Sequence, residues 1–393
     1  MNNPENSWWS RNQQVIFFST ATFFFWMALY VYSPILSVYS KSSGATLFMV
    51  GLIVASYSIP QLLLRVPIGI LSNNRSRRKP ILITGILLTS IGALGLGLVA
   101  HPWSIFFSRT VTGIGAATWV TFTIYFTSFY RKEESTKAIG VINTVQGVAL
   151  VTASYAGGLI AQAQGYANTF FVAASLGIVA VAALVVSKTP IDIDVETSTP
   201  KHLSLSNAWL PLAIVCFMGI LSQFAQWAGL FGFMPIYAAQ IGATSADLGV
   251  ITTLCLAATA LASFFAVRLV KNRGNSFTIL LGALLLGGTL AIIPLIHSVT
   301  HLKLTMLVNG VGRGILSTIL MALSIQTVAP QQRAMAMGIY QAAYAVGMIL
   351  GPLTSGYLAQ SQGLSAVFYL SAGMCMIVAA IAYLSPVRRR LGK

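Results

Sequence analysis

Apolar residues in this chain run on for about twenty positions at a time, and brief clusters of charge, proline and glycine interrupt them. Runs of that length suit α-helices crossing the roughly 30 Å hydrocarbon layer of a bilayer at about 1.5 Å per residue. Twelve are predicted. The first six cover approximately Val15–Tyr39, Thr46–Ser72, Pro80–Ala100, Pro102–Tyr130, Ala138–Gln162 and Ala167–Ser187. The second six cover Ala208–Ala238, Leu248–Val270, Ser276–Ile296, Leu302–Val328, Ala334–Ala359 and Ala366–Leu384. Between the sets lies the polar stretch 188–207, with Asp192, Asp194, Glu196, Pro190 and Pro200, which reads as a linker between halves 1–187 and 208–393.

Composition agrees with a membrane protein. Of 393 residues 56% are hydrophobic and 8% charged, whereas soluble domains carry about 25% charged residues. The net charge of +16, from 23 Lys and Arg against 7 Asp and Glu, first suggests a nucleic-acid partner. That reading needs a wettable basic face, and these cations sit in short clusters between apolar runs, so no nucleic acid is expected. With the N-terminus inside, eighteen cations fall in inside segments, Lys41 and Lys303 fall outside, and three lie within spans. One missed or invented helix would scatter them over both sides, so the asymmetry predicts an even span count and two cytoplasmic termini. Cys216, Cys255 and Cys375 stand alone in apolar runs and form no metal-ligand or disulfide pattern. The stretch ahead of Val15 reads as a retained cytoplasmic tail.

The chain also repeats itself at an offset of 198 residues. Gly44-Ala45-Thr46 recurs as Gly242-Ala243-Thr244, Gly51 as Gly249, Ala138-Ile139-Gly140 as Ala336-Met337-Gly338, Gly158 as Gly356 and Phe170 as Phe368. Trp26 and Pro34-Ile35 are echoed by Trp227 and Pro235-Ile236. Duplicated six-helix halves place a substrate site at their interface near the midplane and let one half rock against the other.

On these features the sequence resembles the major facilitator superfamily over essentially its whole length. Gly69-Ile70-Leu71-Ser72-Asn73-Asn74-Arg75-Ser76-Arg77-Arg78-Lys79 is similar to the family's G-x-L-x-D-R-x-G-R-R-K loop, with Asn73 in place of the acid and Ser76 in place of the second glycine. The resemblance implies a gating role for Gly69, Asn73, Arg77 and Arg78. Arg109-Thr110-Val111-Thr112-Gly113-Ile114-Gly115 is similar to R-x-x-x-G-x-G on the fourth helix, and Gly347 to Pro352 looks like a G-x-x-x-G-P element of bacterial drug-efflux-like members. The implied fold is all-α, twelve transmembrane helices in two pseudo-symmetric halves.

Ions inside hydrocarbon are expensive and point to function. All seven acids lie outside the spans, with Asp247 at the outer start of the eighth, while Arg65, Arg109 and Arg313 lie inside them. Counted from the outer end, Arg313 is about 16 Å deep and Arg109 about 10 Å. The resemblance points both toward the central pathway, where a five-donor guanidinium suits a carboxylate or phosphate. Arg65, seven residues from the cytoplasmic end of its helix, is expected to snorkel. Phe23, Trp26 and Tyr30 share one α-helical face, as do Gln223, Trp227 and Phe231, and such aromatic and amide faces suit amphipathic molecules. Asn143, Gln146, Gln341 and Tyr344 are further polar candidates. Mid-helix glycines favour close packing, and Pro34, Pro235 and Pro352 favour kinks.

The expected function is secondary active export of a small organic compound, such as a drug, a siderophore-like metabolite or an amphipathic anion, by alternating access in the cell (inner) membrane. The alternative is an uptake or exchange permease for an anionic metabolite. The expected partners are that substrate and the bilayer, for a monomer. Protons are the family's usual coupling ion, but with no carboxylate in a span, coupling falls to Asp247, to a substrate carboxylate or to no proton. No enzyme chemistry, cofactor or metal site is expected, since neither a Ser-His pairing, a ligand spacing nor a phosphate-binding loop occurs.

Overall fold

Prolines and glycines decide where the long apolar runs bend. The structure is a computed structural model that describes residues 4–131, 134–187, 209–326, 328 and 332–384, excepting the side chains of 4–11, 136 and 334. The predicted linker 188–207, Lys132, Glu133 and the basic tail 388–393 lie outside the described residues. α1 comprises Pro4–Tyr30 and, after a break at Pro34, Leu36–Ser42; α2 comprises Leu47–Ser56 and Ser58–Leu71. α3 is Arg75–Leu98, α4 is Pro102–Ala117 and Trp119–Thr127, α5 is Ser135–Gln164 and α6 is Tyr166–Val186. α7 runs Trp209–Gln226, a π-helical segment Trp227–Phe233, and Met234–Gln240. Next comes a helical run Ser245–Ile292, prolonged by a 3₁₀ turn Ile293–Leu295. Gly274 divides it at φ 81° into α8 (245–273) and α9 (275–292). α10 is Val299–Gln326, α11 is Arg333–Gln362 and α12 is Leu364–Tyr383.

Among the described residues nine helices are individually long and apolar enough to span a bilayer, and the sequence reading of twelve differs for identifiable reasons. Ser245–Leu295, at 51 residues, would be about 75 Å long if straight, so the break at Gly274 makes it two crossings. α4 is cut at Thr118 into pieces of 16 and 9 residues, and the described part of α1 is diluted by Gln13 and Gln14.

The repeat is visible atom by atom. Thr46 and Thr244 cap α2 and α8 by accepting from Met49 N and Asp247 N. Gly44 and Gly242 hold φ 89° and 91°, and Gly165 and Gly363 hold 86° and 88°, which L side chains rarely adopt. Tyr39 donates to the Leu96 carbonyl at 2.8 Å with its ring against Phe170, and Tyr237 donates to Ile296 at 2.9 Å with its ring against Phe368.

Within the first half, α3 packs on α4 and α6, and α1 on α5 and α6; within the second, α8 and α9 pack on α10 and α12, and α7 on α11. The halves meet along α2–α11 and α5–α8. Both seams are tight on the face away from the basic loops. A Cβ on Gly158 would lie 2.6 Å from Gly249 Cα, and one on Gly51 would overlap the Pro352 carbonyl. Phe48 N donates to Gln360 Oε1 and Ser245 N to Gln162 Oε1, both at 3.1 Å. Toward the basic face the same helices part: Gly140 and Gly147 on α5 and Gly338 on α11 face open space, and Ile139, Asn143 and Thr144 are exposed. Among the described residues the halves are in contact on one face and apart on the basic one.

Candidate functional site

Two prolines build the frame of the site. Pro235 has no N–H to give to the carbonyl four residues back, at Phe231. Ser37 Oγ of α1 takes up that carbonyl at 2.8 Å, joining the halves at the π segment. The predicted α-helical face of Gln223, Trp227 and Phe231 is corrected at its last member, because π winding from Trp227 onward turns Phe231 out of simple α register with the other two. Trp227 and Phe231 point inward together, with ring centroids 4.9 Å apart. Pro34 breaks α1 in the same way, and Ser33 N donates to the freed Tyr30 carbonyl at 3.0 Å.

Around this frame the aromatic rings form a ladder across the interface. The Arg109 guanidinium lies 4.1 Å from the centre of the Tyr57 ring, which stacks on Trp227 at 5.7 Å; Phe231 follows, and the Arg313 guanidinium lies 5.1 Å from its centre. A branch runs from Phe231 through Tyr30 (5.9 Å) and Trp26 (5.7 Å) to Trp119 (5.0 Å). Cations prefer the faces of such rings, so both ends of the ladder hold a fixed positive charge. Tyr30 is within electrostatic reach of Arg109, Arg313 and Tyr344. Trp26 and Trp227 are buried, and the Trp26 indole N–H has no partner among the described residues.

Below the ladder, toward the basic face, a cleft of about 470 Å³ opens between α2, α4 and α11. Gln61, Arg65, Trp119, Thr123 and Gln341 line it. Arg65 corrects the sequence reading: it does not snorkel to the membrane edge. Its Nη2 donates to Gln61 Oε1 at 2.6 Å and its Nη1 to the Tyr344 hydroxyl of the other half at 3.4 Å. The signal lay in the sequence, since Tyr57, Gln61 and Arg65 recur every four residues and put one polar stripe on an apolar helix.

The other predicted residues divide clearly. Trp26, Tyr30, Trp227 and Arg313 come together in the ladder, and Gln341 and Tyr344 border the cleft. Arg109 is 5% exposed and committed to α1 and α2, donating to the Tyr32 hydroxyl at 2.8 Å. Asn143 is exposed and Gln146 and Gln223 half-buried, and among the described residues no hydrogen bond ties them to the ladder. Asn73, in the turn after α2, and Arg77, in the first turn of α3, are exposed, while Arg78 Nε donates to the Ser72 carbonyl at 2.7 Å. A Cβ on Gly69 would meet only Val120, at ordinary contact distance. Lys79 caps α6 through the Val185 and Ser187 carbonyls.

Charge balance gives the site its character. Among the described residues no carboxylate pairs with Arg65, Arg109 or Arg313, and Arg313 Nη1, Arg109 Nε and Arg65 Nε are buried without a partner. Asp247 is engaged elsewhere, 2.6 Å from Lys303 Nζ on the closed face. Burial alone would raise its pKa, but the Lys303 ammonium and the Thr244 N–H and hydroxyl outweigh that and hold the carboxyl below the usual range.

The Major Facilitator Superfamily profile matches residues 18–237 and 215–393. The chain belongs to the major facilitator superfamily. An uncharacterised MFS-type transporter of Methanocaldococcus jannaschii is 24% identical over 90% of this chain and 92% of its own length. Multidrug resistance protein 2 of Bacillus subtilis is 26% identical over 80% of each. Among solved structures, a bacterial homologue of the human lysosomal transporter Spinster, in an inward-facing and occupied conformation, superposes with a TM-score of 0.81 at 15% identity, covering 99% of this chain and 98% of that one. This superfamily member is therefore a multi-pass membrane transporter of twelve helices in two pseudo-symmetric halves.

Proposed function

We propose that this transporter exports amphipathic organic anions from the cytoplasm. The carrying observation is the set of three guanidinium groups, without carboxylate partners among the described residues, around an aromatic ladder and a 470 Å³ cleft. That volume falls in the range of small-molecule sites, about 300–1,000 Å³. Arg313 and Arg65 bind the anionic head, Trp119, Trp26 and Tyr30 hold the apolar body, and Arg109 fixes Tyr32 and Tyr57. The asymmetry of Lys and Arg supports a cytoplasmic basic face, both termini inside the cell (inner) membrane, and a cleft open to the cytoplasm. Halves 1–187 and 208–393 move as units of a monomer, closing the basic face and parting the opposite seams. The name of the Bacillus subtilis relative favours the outward direction. Asp247, held charged by Lys303, is poorly placed to carry a coupling proton.

The test uses inverted and right-side-out vesicles with naphthalenesulfonate, an aromatic anion without a neutral form near pH 7, and naphthalenesulfonamide as its neutral counterpart. Inverted vesicles are expected to accumulate the sulfonate. Arg313→Gln should reduce that transport about 10- to 150-fold, the worth of a charged hydrogen bond. Equal loss of any sulfonamide transport, or accumulation confined to right-side-out vesicles, refutes the reading.

A further inference from the structure

The closed seams show what closing a face does to this molecule: helix backbones touch at Gly51–Pro352 and Gly158–Gly249 and leave no room for water between them. On the basic face the walls that must meet are α2 and α4 on one side and α11 on the other, and Arg65 stands between them. Its neutral partners, Gln61 and Tyr344, engage two of its five N–H donors, Nε is buried with no partner, and no carboxylate of the described residues pairs with it. Arg65 is only half-buried while the cleft is open, so water reaches part of this charge. Closure would expel that water and leave a dry, uncompensated guanidinium, a penalty on the order of a hundredfold or more in the closing equilibrium. A substrate anion in the cleft removes the penalty by pairing with Arg65.

We infer that Arg65 permits the basic face to close only over a bound anion, so the carrier works as an exchanger of organic anions and its empty form does not return. The inference rests on the anion reading above and extends it from what is bound to how the cycle is coupled. Fixed arginine charge then takes the part that a titrating carboxylate plays in proton coupling: it makes one conformational step conditional on an ion. The bridge from Arg65 to Tyr344 joins the two walls, so the group that senses the anion also touches the half that moves.

The experiment measures release of naphthalenesulfonate from proteoliposomes containing the full chain. Membrane potential is clamped at zero, and the outside holds either chloride buffer alone or unlabelled naphthalenesulfonate. The ratio of the two rates is read within one preparation, so protein yield cancels. The wild type is expected to release the probe about tenfold or more faster with the anion outside. Arg65→Gln should lower the ratio to about threefold or less by letting the empty carrier close, whereas Arg65→Lys should keep the wild-type ratio. A wild-type ratio near unity, or an unchanged ratio in Arg65→Gln, overturns the exchange mechanism and leaves the anion reading standing. Arg65→Gln inactive in both arms beside active Arg65→Lys also overturns it, because the positive charge would then be needed for binding itself and not only for closure. No release by the wild type in either arm overturns the anion reading and, with it, this inference.

Discussion

Adding one methyl group at Gly158 tests whether the closed seam sets the balance between the two faces. A Cβ there would sit 2.6 Å from Gly249 Cα and 2.8 Å from the Ser245 carbonyl oxygen, where non-bonded carbons ordinarily meet at about 3.5–4.0 Å. Backbone atoms cannot rotate away, so α5 and α8 must separate by about 1 Å. Overpacking of this kind costs about 1–3 kcal/mol, and the state with this seam parted does not bear the cost. A difference of that size shifts a two-state equilibrium about 5- to 150-fold, moving a ~1% minor state to roughly 5–60%. Spin labels at Ala163 and Gln240, on the closed face and in opposite halves, would report the change in Gly158→Ala as a second, longer distance in pulsed electron resonance. Gly147→Ala, on the same helix but facing open space, supplies the control and should leave the distance distribution alone. Equal distributions in wild type and Gly158→Ala would refute the reasoning.

Ser37→Ala strands the Phe231 carbonyl, which Pro235 cannot serve. It should cost about 1–3 kcal/mol in thermal unfolding in detergent, whereas Ser40→Ala, removing a bond to its own helix at Leu36, should cost under about 0.5 kcal/mol. Tyr39→Phe and Tyr237→Phe remove matching bonds in the two halves, so each should cost about 1 kcal/mol and the double variant their sum. Because the folded pKa of Asp247 is lowered, its ion pair contributes fully above the unfolded carboxylate pKa and is lost only as pH falls through the lower folded value. Asp247→Asn should therefore leave the pH profile of transport unchanged between roughly pH 5 and 8; a profile that flattens in the variant would restore Asp247 as a coupling group.

Much of this architecture is a consequence of solvent and chain length, which a sequence displays directly. A bilayer requires about twenty apolar residues per crossing and biases cations to one side, so twelve spans and a basic face could be read without coordinates. The 198-residue repeat paired Phe170 with Phe368 before any contact was visible, since both halves solve one packing problem. Pro34 and Pro235 announced breaks because a missing N–H is a local property. What each break became was not local: α1 simply parts between Tyr30 and Leu36, whereas α7 winds into a π segment whose free carbonyl is met by Ser37, 194 residues away in sequence. The arginines show the same limit. Depth along a helix was legible and suggested that Arg65 would snorkel, while the family resemblance pointed Arg109 toward the pathway. Their partners, Tyr344 for one and the faces of Tyr32 and Tyr57 for the other, come from other helices, and only the packing of the halves determines which rings and hydroxyls a guanidinium meets.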